Sequence, residues 1–216
     1  MAKNTLSKGF FITFEGPDGC GKTSVAQKVY EELAKQYPDQ VVFTREPGGK
    51  NNIIAEDIRR VLLNHLDYKI DYRSEALLFA ASRAQHVSDF IIPNLKQNHI
   101  VLCDRYIHSS LVYQGFTREL GFENVLAINK FAIQNTMPDL VILIMADPET
   151  CWSRIKQHRS DKVDRLDQEE ELHEKVYQGY LKLIKQMPEN LVVINGENSI
   201  DNVAKEVLEK IKQLIK

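Results

Sequence analysis

The sequence predicts a three-layer α/β domain: a five-stranded parallel sheet flanked by helices. Three observations carry that expectation. Five short apolar runs, rich in β-branched and aromatic residues, are continuous rather than alternating, as strands buried on both faces are. Helical patterns fill the intervals between them, so successive strands are joined by right-handed crossovers. A glycine-rich loop follows the first run directly and opens the first helix, which puts a ligand site at the carboxyl ends of the strands.

The elements follow in order. The first run, Phe10–Phe14, passes straight into Glu15; it is too short for a membrane span and lacks the layout of a signal peptide. A helix is expected over Thr23–Lys35, and the second run is Val41–Thr44. Arg59 is expected to close a helix ahead of a longer one over Ser74–Ile92. Pro93 is expected to kink or end that longer helix, because proline lacks an N–H and crowds the preceding turn. Next come the run Ile100–Cys103, a helix over Phe122–Asn135, the run Leu140–Met145 and a helix over Pro148–His158. From Arg154 to Glu171 the chain is charged and nearly free of large apolar side chains. Such a stretch has little to bury, so residues 154–171 are expected to form a mobile lid. A helix over Glu169–Gln186, the fifth run Leu191–Ile194 and a helix over Ile200–Leu214 complete a chain without repeats or linkers. Residues 1–216 therefore read as one domain.

Composition narrows the function classes. A hydrophobic fraction of 43% is enough to fill a core and excludes a fully disordered chain. A net charge of -2 argues against a protein that coats a nucleic-acid backbone. It leaves room for a small anion held by a few focused arginines. The three cysteines, Cys20, Cys103 and Cys151, are widely spaced and form no metal-binding pair. An odd number gives no disulfide framework, so a reducing compartment, the cytoplasm, is expected.

The strongest motif is Gly16-Pro17-Asp18-Gly19-Cys20-Gly21-Lys22-Thr23, which matches G-x-x-x-x-G-K-[ST] in its required place between strand and helix. Glycines let backbone N–H groups wrap a polyphosphate, and the helix N-terminus adds partial positive charge. Lys22 is expected to reach the β- and γ-phosphates of ATP, and Thr23 to offer its hydroxyl to Mg²⁺. The plainer reading is a glycine turn before an ordinary helix. Cys20 reads as a small spacer, since phosphoryl transfer between nucleotides needs no covalent intermediate. The loop narrows the fold to the P-loop NTPase type and identifies the phosphate donor. It does not identify the acceptor.

Two further groups follow strands in the same way. Thr44-Arg45-Glu46-Pro47-Gly48-Gly49 follows the second run, and Cys103-Asp104-Arg105-Tyr106 belongs to the third. Asp104 suits the water-mediated support of Mg²⁺, and Arg105 suits a phosphate clamp. A polar turn and a buried Asp104–Arg105 network are the plainer alternatives. Phe79 and Arg83 are four apart and share a helix face, so with Arg59 they suit an aromatic base carrying a phosphate. Core packing is the alternative for Phe79. The lid carries Arg154, Arg159 and Arg165, cations that can close over a transferring phosphoryl group and exclude water. A solvated charged turn is the alternative.

Six motifs in order resemble the bacterial thymidylate kinase family over nearly the whole chain. They are Phe14–Thr23, Thr44–Gly49, Glu75–Arg83, Asp104–Tyr106, Ser109–Gly115 and Pro138–Leu140. The resemblance implies a nucleoside monophosphate kinase-like fold, transfer of the γ-phosphate of ATP to dTMP, Mg²⁺, and a homodimer. It implies that Asp18 meets the deoxyribose 3′-hydroxyl, and that Glu46 and Pro47 wall the thymidylate site. Arg59 and Arg105 would hold the acceptor phosphate, Arg105 near the point of transfer. Phe79 would stack on thymine, Arg83 and Gln114 would bond the base, Ser110 would line the site, and Tyr113 would crowd the 2′ position. Gly19 leaves the loop without an arginine, so the chain is similar to the lid-arginine type, with the catalytic cation from Arg154, Arg159 or Arg165. The stretch Lys50–Glu56 and the residue Val112 depart from the family pattern without removing a needed chemical group. Two alternatives stand beside this one: a related kinase for another nucleotide or nucleoside, and a nucleotide-dependent switch. The switch lacks its guanine-reading Asn-Lys-x-Asp motif; Asn129-Lys130-Phe131-Ala132 has no Asp.

Overall fold

The computed structural model describes residues 6–49, 52–64, 69–158 and 170–216. Five parallel strands, β1 (Phe10–Glu15), β2 (Val41–Arg45), β3 (Ile100–Asp104), β4 (Leu140–Met145) and β5 (Leu191–Asn195), form one sheet in the order β2-β3-β1-β4-β5. The strand order reverses beside β1, the place where an open α/β sheet opens a crevice for ligands.

The two faces of the sheet bury different helices, which makes three layers. Phe10, Ile12 and Phe14 of β1 pack with Val25, Val29 and Leu33 of α1 (Lys22–Gln36) and with Val203, Val207 and Ile211 of α9 (Ile200–Ile215). Phe11 points the other way and packs with Val87, Ile91, Tyr106 and Ile107. A strand alternates its side chains between faces, so one continuous apolar run supplies both cores.

Each of β1, β2, β3 and β5 runs one residue further than its apolar run, into Glu15, Arg45, Asp104 and Asn195. The backbone ladder continues after the side chains turn polar. The register aligns Phe14, Arg45 and Asp104 across neighbouring strands. Glu46 and Arg105 therefore leave the sheet side by side, next to Glu15 at the end of β1.

The helices differ from expectation in four places. Arg59 lies in the middle of α2 (Ile53–Asn64) rather than at a helix end. Ile53, Ile54 and Val61 of α2 are exposed while Ala55 and Leu62 are buried, so its apolar residues do not mark a single stripe. The long helix is α3 (Tyr72–His86), then a π-helical turn (Val87–Ile91), then α4 (Ile92–Lys96), and it continues past Pro93. Here the Ile92 N–H bonds the Val87 carbonyl, and that widened turn absorbs the proline. Residues after β3 form α5 (Ile107–Ser110) and a second π-helical turn (Leu111–Thr117), which the serine- and glycine-containing sequence does not signal. Leu111, Val112 and Tyr113 are held there by Leu143, Val176 and Tyr180. The remaining helices are α6 (Phe122–Ile133), α7 (Pro148–His158) and α8 (Glu170–Gln186). Gln134, at φ 49°, ends α6 two residues before the expected boundary. Most of the expected lid lies outside the described residues.

Candidate active site

The phosphate loop spans Gly16 to Gly21 between β1 and Lys22, the first residue of α1. Gly16 has φ 140°, and a Cβ there would sit 2.1 Å from the Ile144 carbonyl oxygen. Gly19 has φ 81°, and its Cβ would sit 2.3 Å from the Cys151 carbonyl oxygen. Both positions require glycine by conformation and by space. The second approach presses α7 directly onto the loop, so residue 19 has no room for any side chain. Lys22 donates to the Pro17 carbonyl at 3.2 Å and to Asp18 Oδ1 at 3.1 Å. Cys20 is buried, and burial pushes its thiol up, away from the reactive thiolate. This fits a spacer.

Two cavities meet at this loop. The first is lined by Gly19 to Val25, by Arg154 and Ile155 of α7, and by Gly196 to Ile200 after β5. Arg154 donates to the Gly196 carbonyl at 2.9 Å and so bridges the two walls of the groove. The second lies beyond the carboxyl ends of β2 and β3. Glu46, Pro47, Arg59, Phe79, Arg83, Arg105, Ser110, Tyr113, Gln114 and Asp18 all line it, so the structure gathers the whole sequence-derived set. It includes Arg45 of the group that follows β2, and it adds Leu63 and Ser109. Ser109 carried no signal of its own, and Leu63 follows from α2 alone. Lys22 and Thr23 line both cavities.

Arg105 is the hub between them. Its backbone sits at φ 70°, a left-handed conformation that costs a non-glycine residue energy and marks functional sites. Its N–H bonds the Phe14 carbonyl at 2.9 Å. Nη2 donates to Asp18 Oδ1 at 2.5 Å and to the Tyr113 hydroxyl at 3.3 Å. Nη1 donates to Ser109 Oγ at 2.8 Å and to the Gly16 carbonyl at 3.2 Å. The Asp104–Arg105 pair considered above is not what forms: Arg105 pairs with Asp18 and Asp104 with Thr23. The Tyr113 hydroxyl donates to Asp18 Oδ2 at 2.6 Å. Burial opposes charge on Asp18, but Arg105 and Lys22 together hold its carboxyl well below the usual range.

Arg83 is buried and heavily committed. Nε donates to Glu46 Oε2 at 2.6 Å, Nη1 to Ser110 Oγ at 3.1 Å and to Asn129 Oδ1, and Nη2 to the Tyr106 carbonyl at 3.2 Å. Four of its five N–H groups are thus used, so a base could draw on one. Glu46 is held from its other side by His86 Nδ1 at 2.9 Å, and His86 Nε2 meets Thr44 Oγ1 at 2.8 Å. Arg59 donates to the Pro47 carbonyl at 3.0 Å.

Behind Arg105 lies Glu15. It accepts from Ser109 Oγ at 2.6 Å and from the Tyr106 N–H at 2.7 Å. Burial pushes its carboxyl up to about 7 in spite of these bonds. His108 Nδ1 lies 3.8 Å from Glu15, and burial together with Arg83 lowers that imidazole to about 4.

A metal candidate lies between the cavities. Thr23 Oγ1 donates to Asp104 Oδ2 at 2.5 Å, while buried Asp104 Oδ1 lacks a hydrogen-bond partner among the described residues. A hydroxyl and a carboxylate beside a polyphosphate loop are the hard oxygen donors that suit a divalent cation such as Mg²⁺. Glu46, His86 and Cys103 also bring ligand atoms within 4.8 Å of one another. There, however, Arg83 neutralises Glu46, and burial pushes the Cys103 thiol far from ionisation. Arg159 and Arg165 lie outside the described residues.

A family model described as thymidylate kinase matches residues 14–207. The chain is 46% identical to the thymidylate kinase of Lactobacillus acidophilus, over 95% of each chain. It is 47% identical to that of Staphylococcus epidermidis, over 95% of this chain and 98% of the relative. The crystal structure of thymidylate kinase from Ehrlichia chaffeensis superimposes with a TM-score of 0.75 at 30% identity, covering 94% of this chain and 99% of that one.

Proposed function

This chain belongs to the thymidylate kinase family, and we propose the following division of labour among its residues for transfer of the ATP γ-phosphate to dTMP. The observation that carries it is the pair of cavities sharing Lys22 and Thr23. A donor in one and an acceptor in the other would meet at those two side chains, as direct transfer without a covalent intermediate requires. This geometry does not suit a switch, which needs no second pocket for a phosphate acceptor.

On the donor side, the loop from Gly16 to Gly21 cradles the phosphates with backbone N–H groups, and Lys22 offsets the charge that shifts to the β- and γ-oxygens. Arg154 walls the groove for the rest of ATP. Thr23 and Asp104 would hold Mg²⁺, which when bound supplies positive charge to the donor oxygens. On the acceptor side, Phe79 stacks on thymine, while Arg83 offers its remaining N–H and Gln114 its amide to the base. Ser110 holds Arg83 in place. Glu46 and Pro47 close the wall. Asp18, ionised and fixed by Tyr113, accepts a hydrogen bond from the 3′-hydroxyl, and the Tyr113 ring leaves no room for a 2′-hydroxyl. Arg59 and Arg105 hold the acceptor phosphate.

The close approach of Cys151 to Gly19 bars a loop arginine. The further cation at the transferring group is therefore assigned to Arg159 or Arg165, in a lid spanning about residues 154–171 of a single domain. The product dTDP feeds dTTP synthesis.

We also assign a homodimer. Ile53, Ile54, Val61, Leu77 and Phe131 are exposed on α2, α3 and α6, and α3 packs against both of the others. Apolar side chains spread over neighbouring helices suit a two-fold interface. The three free, buried cysteines accord with a reducing cytoplasm.

A coupled ADP-release assay across nucleoside monophosphates tests the reading. The expected order of kcat/KM is dTMP above dUMP, with dCMP, dGMP and ribonucleotides far behind. A preference for CMP, AMP or GMP would overturn it.

A further inference from the structure

Gln114 reaches the acceptor cavity from the second π-helical turn, and behind it stands a residue to which no role has yet been given. Glu75 is fully buried, and its Oε1 accepts from Gln114 Nε2 at 2.9 Å. Glu75, Phe79 and Arg83 are spaced by four along α3, so one helix face carries the buried carboxylate, the aromatic ring and the guanidinium. Three contacts fix that end of the helix. Asp71 caps it by accepting from the Arg73 and Ser74 N–H groups. The Glu75 N–H bonds the Asp71 carbonyl at 2.8 Å. Arg118 Nε lies 3.8 Å from Glu75 Oε1, its guanidinium over the Tyr72 ring at 4.6 Å.

An ionised carboxylate only accepts hydrogen bonds, whereas a glutamine amide offers a donor at one end and an acceptor at the other. The two ends are otherwise nearly isosteric, and neighbours alone decide which way an amide faces. With Glu75 behind it, Gln114 satisfies both groups only by turning its NH₂ to the carboxylate. That leaves its carbonyl oxygen for the cavity.

We propose that Glu75 is a specificity-determining positioning residue: it locks Gln114 with its carbonyl oxygen toward the base, so that the site selects a pyrimidine carrying a ring N–H. Thymine and uracil present an imide N3–H. Cytosine presents a bare N3 lone pair at the same edge, which would face the Gln114 oxygen and leave two acceptors unpaired in a buried site. Sites built around a substrate donor reject analogues that lack it far more strongly than apolar pockets reject a missing methyl group. Glu75 thus acts through Gln114 without touching the nucleotide. The inference rests on the thymidylate reading of the cavity.

The test compares wild type and Glu75→Gln on dTMP, dCMP and N3-methyl-dTMP. A glutamine at 75 can donate as well as accept, so Gln114 can turn over and offer its NH₂ to the base. The variant should raise the KM for dTMP while keeping saturating kcat within about threefold, since Arg59 and Arg105 still hold the phosphate. Its kcat/KM ratio of dTMP to dCMP should fall by about tenfold or more. Wild type should discriminate strongly against N3-methyl-dTMP, and the variant should discriminate less. Glu75→Asp, which retains an acceptor-only group, should keep most of the dTMP to dCMP ratio. Equal losses on dTMP and dCMP would mean that Glu75 only supports the fold and would overturn the assignment. So would wild-type enzyme that uses N3-methyl-dTMP as well as dTMP, a result that needs no variant to fold. Wild-type enzyme inactive on dTMP itself would instead sink the reading of the cavity.

Discussion

Replacing Arg105 separates the value of a charge from the value of a planar fork. Its Nη1 bonds Ser109 and Gly16 while its Nη2 bonds Asp18 and Tyr113. A lysine carries charge at a single nitrogen and cannot serve both sets. Arg105→Met removes the charge as well. Losing one preorganised donor costs about 10²–10³ in kcat, so Arg105→Lys should lie near 10² and Arg105→Met near 10³. The structural cost also follows from the contacts. Breaking a buried ion pair costs about 3–5 kcal/mol, but Lys22 and Tyr113 still hold Asp18, so about 2 kcal/mol is expected. For a chain of this size that lowers Tm by roughly 4–8 °C. The assay is steady-state kinetics at saturating ATP and dTMP, with thermal unfolding of the same preparations. If Arg105→Lys keeps kcat within about threefold, or raises KM alone, the fork geometry is not what serves transfer.

Three further outcomes are expected. Burial raises Glu15 from 4.5 to about 7, so its contribution to stability is fully present below pH 4.5 and is lost as pH rises through 7. His108 is lowered from 6.5 to about 4, so its contribution is present above pH 6.5 and is lost as pH falls through 4. The two slopes oppose each other in wild type; Glu15→Gln should make Tm rise from pH 4 to 6.5, His108→Asn should make it fall from 4.5 to 7, and two variants with the wild-type slope would refute the assignment. Gly19→Ala must hold φ 81° and place a Cβ 2.3 Å from the Cys151 carbonyl oxygen; it should cost about 2 kcal/mol or more and raise the KM for ATP, and an unchanged Tm would contradict the close packing of α7 on the loop. Phe131→Glu, at a side chain 88% exposed, should turn a sedimenting dimer into a monomer without unfolding, and a wild-type chain that sediments only at 24.9 kDa would refute the dimer.

The division between sequence and structure follows the range of the forces involved. The five strands, the phosphate loop and most helices are written locally, because apolar continuity, helical spacing and glycine placement act within a few residues. The family motifs identified most of the cavity-lining residues because these lie within short motifs, whereas Leu63 of α2 lies outside them. The π-helical turns and α5 were not legible. They follow from packing Leu111, Val112 and Tyr113 against Leu143, Val176 and Tyr180, contacts between segments distant in the chain. Arg83 read as a partner of the base, and only the fold shows that four of its five N–H groups are already taken. Glu75 stood inside a recognised motif with no chemistry of its own until the fold set it 2.9 Å from Gln114, 39 positions away. The sequence by itself determined which chemical groups are present and on which strand ends they lie. Only the tertiary structure decided which donors and acceptors remain unspent, because hydrogen-bond capacity is consumed by whichever neighbours folding brings within reach.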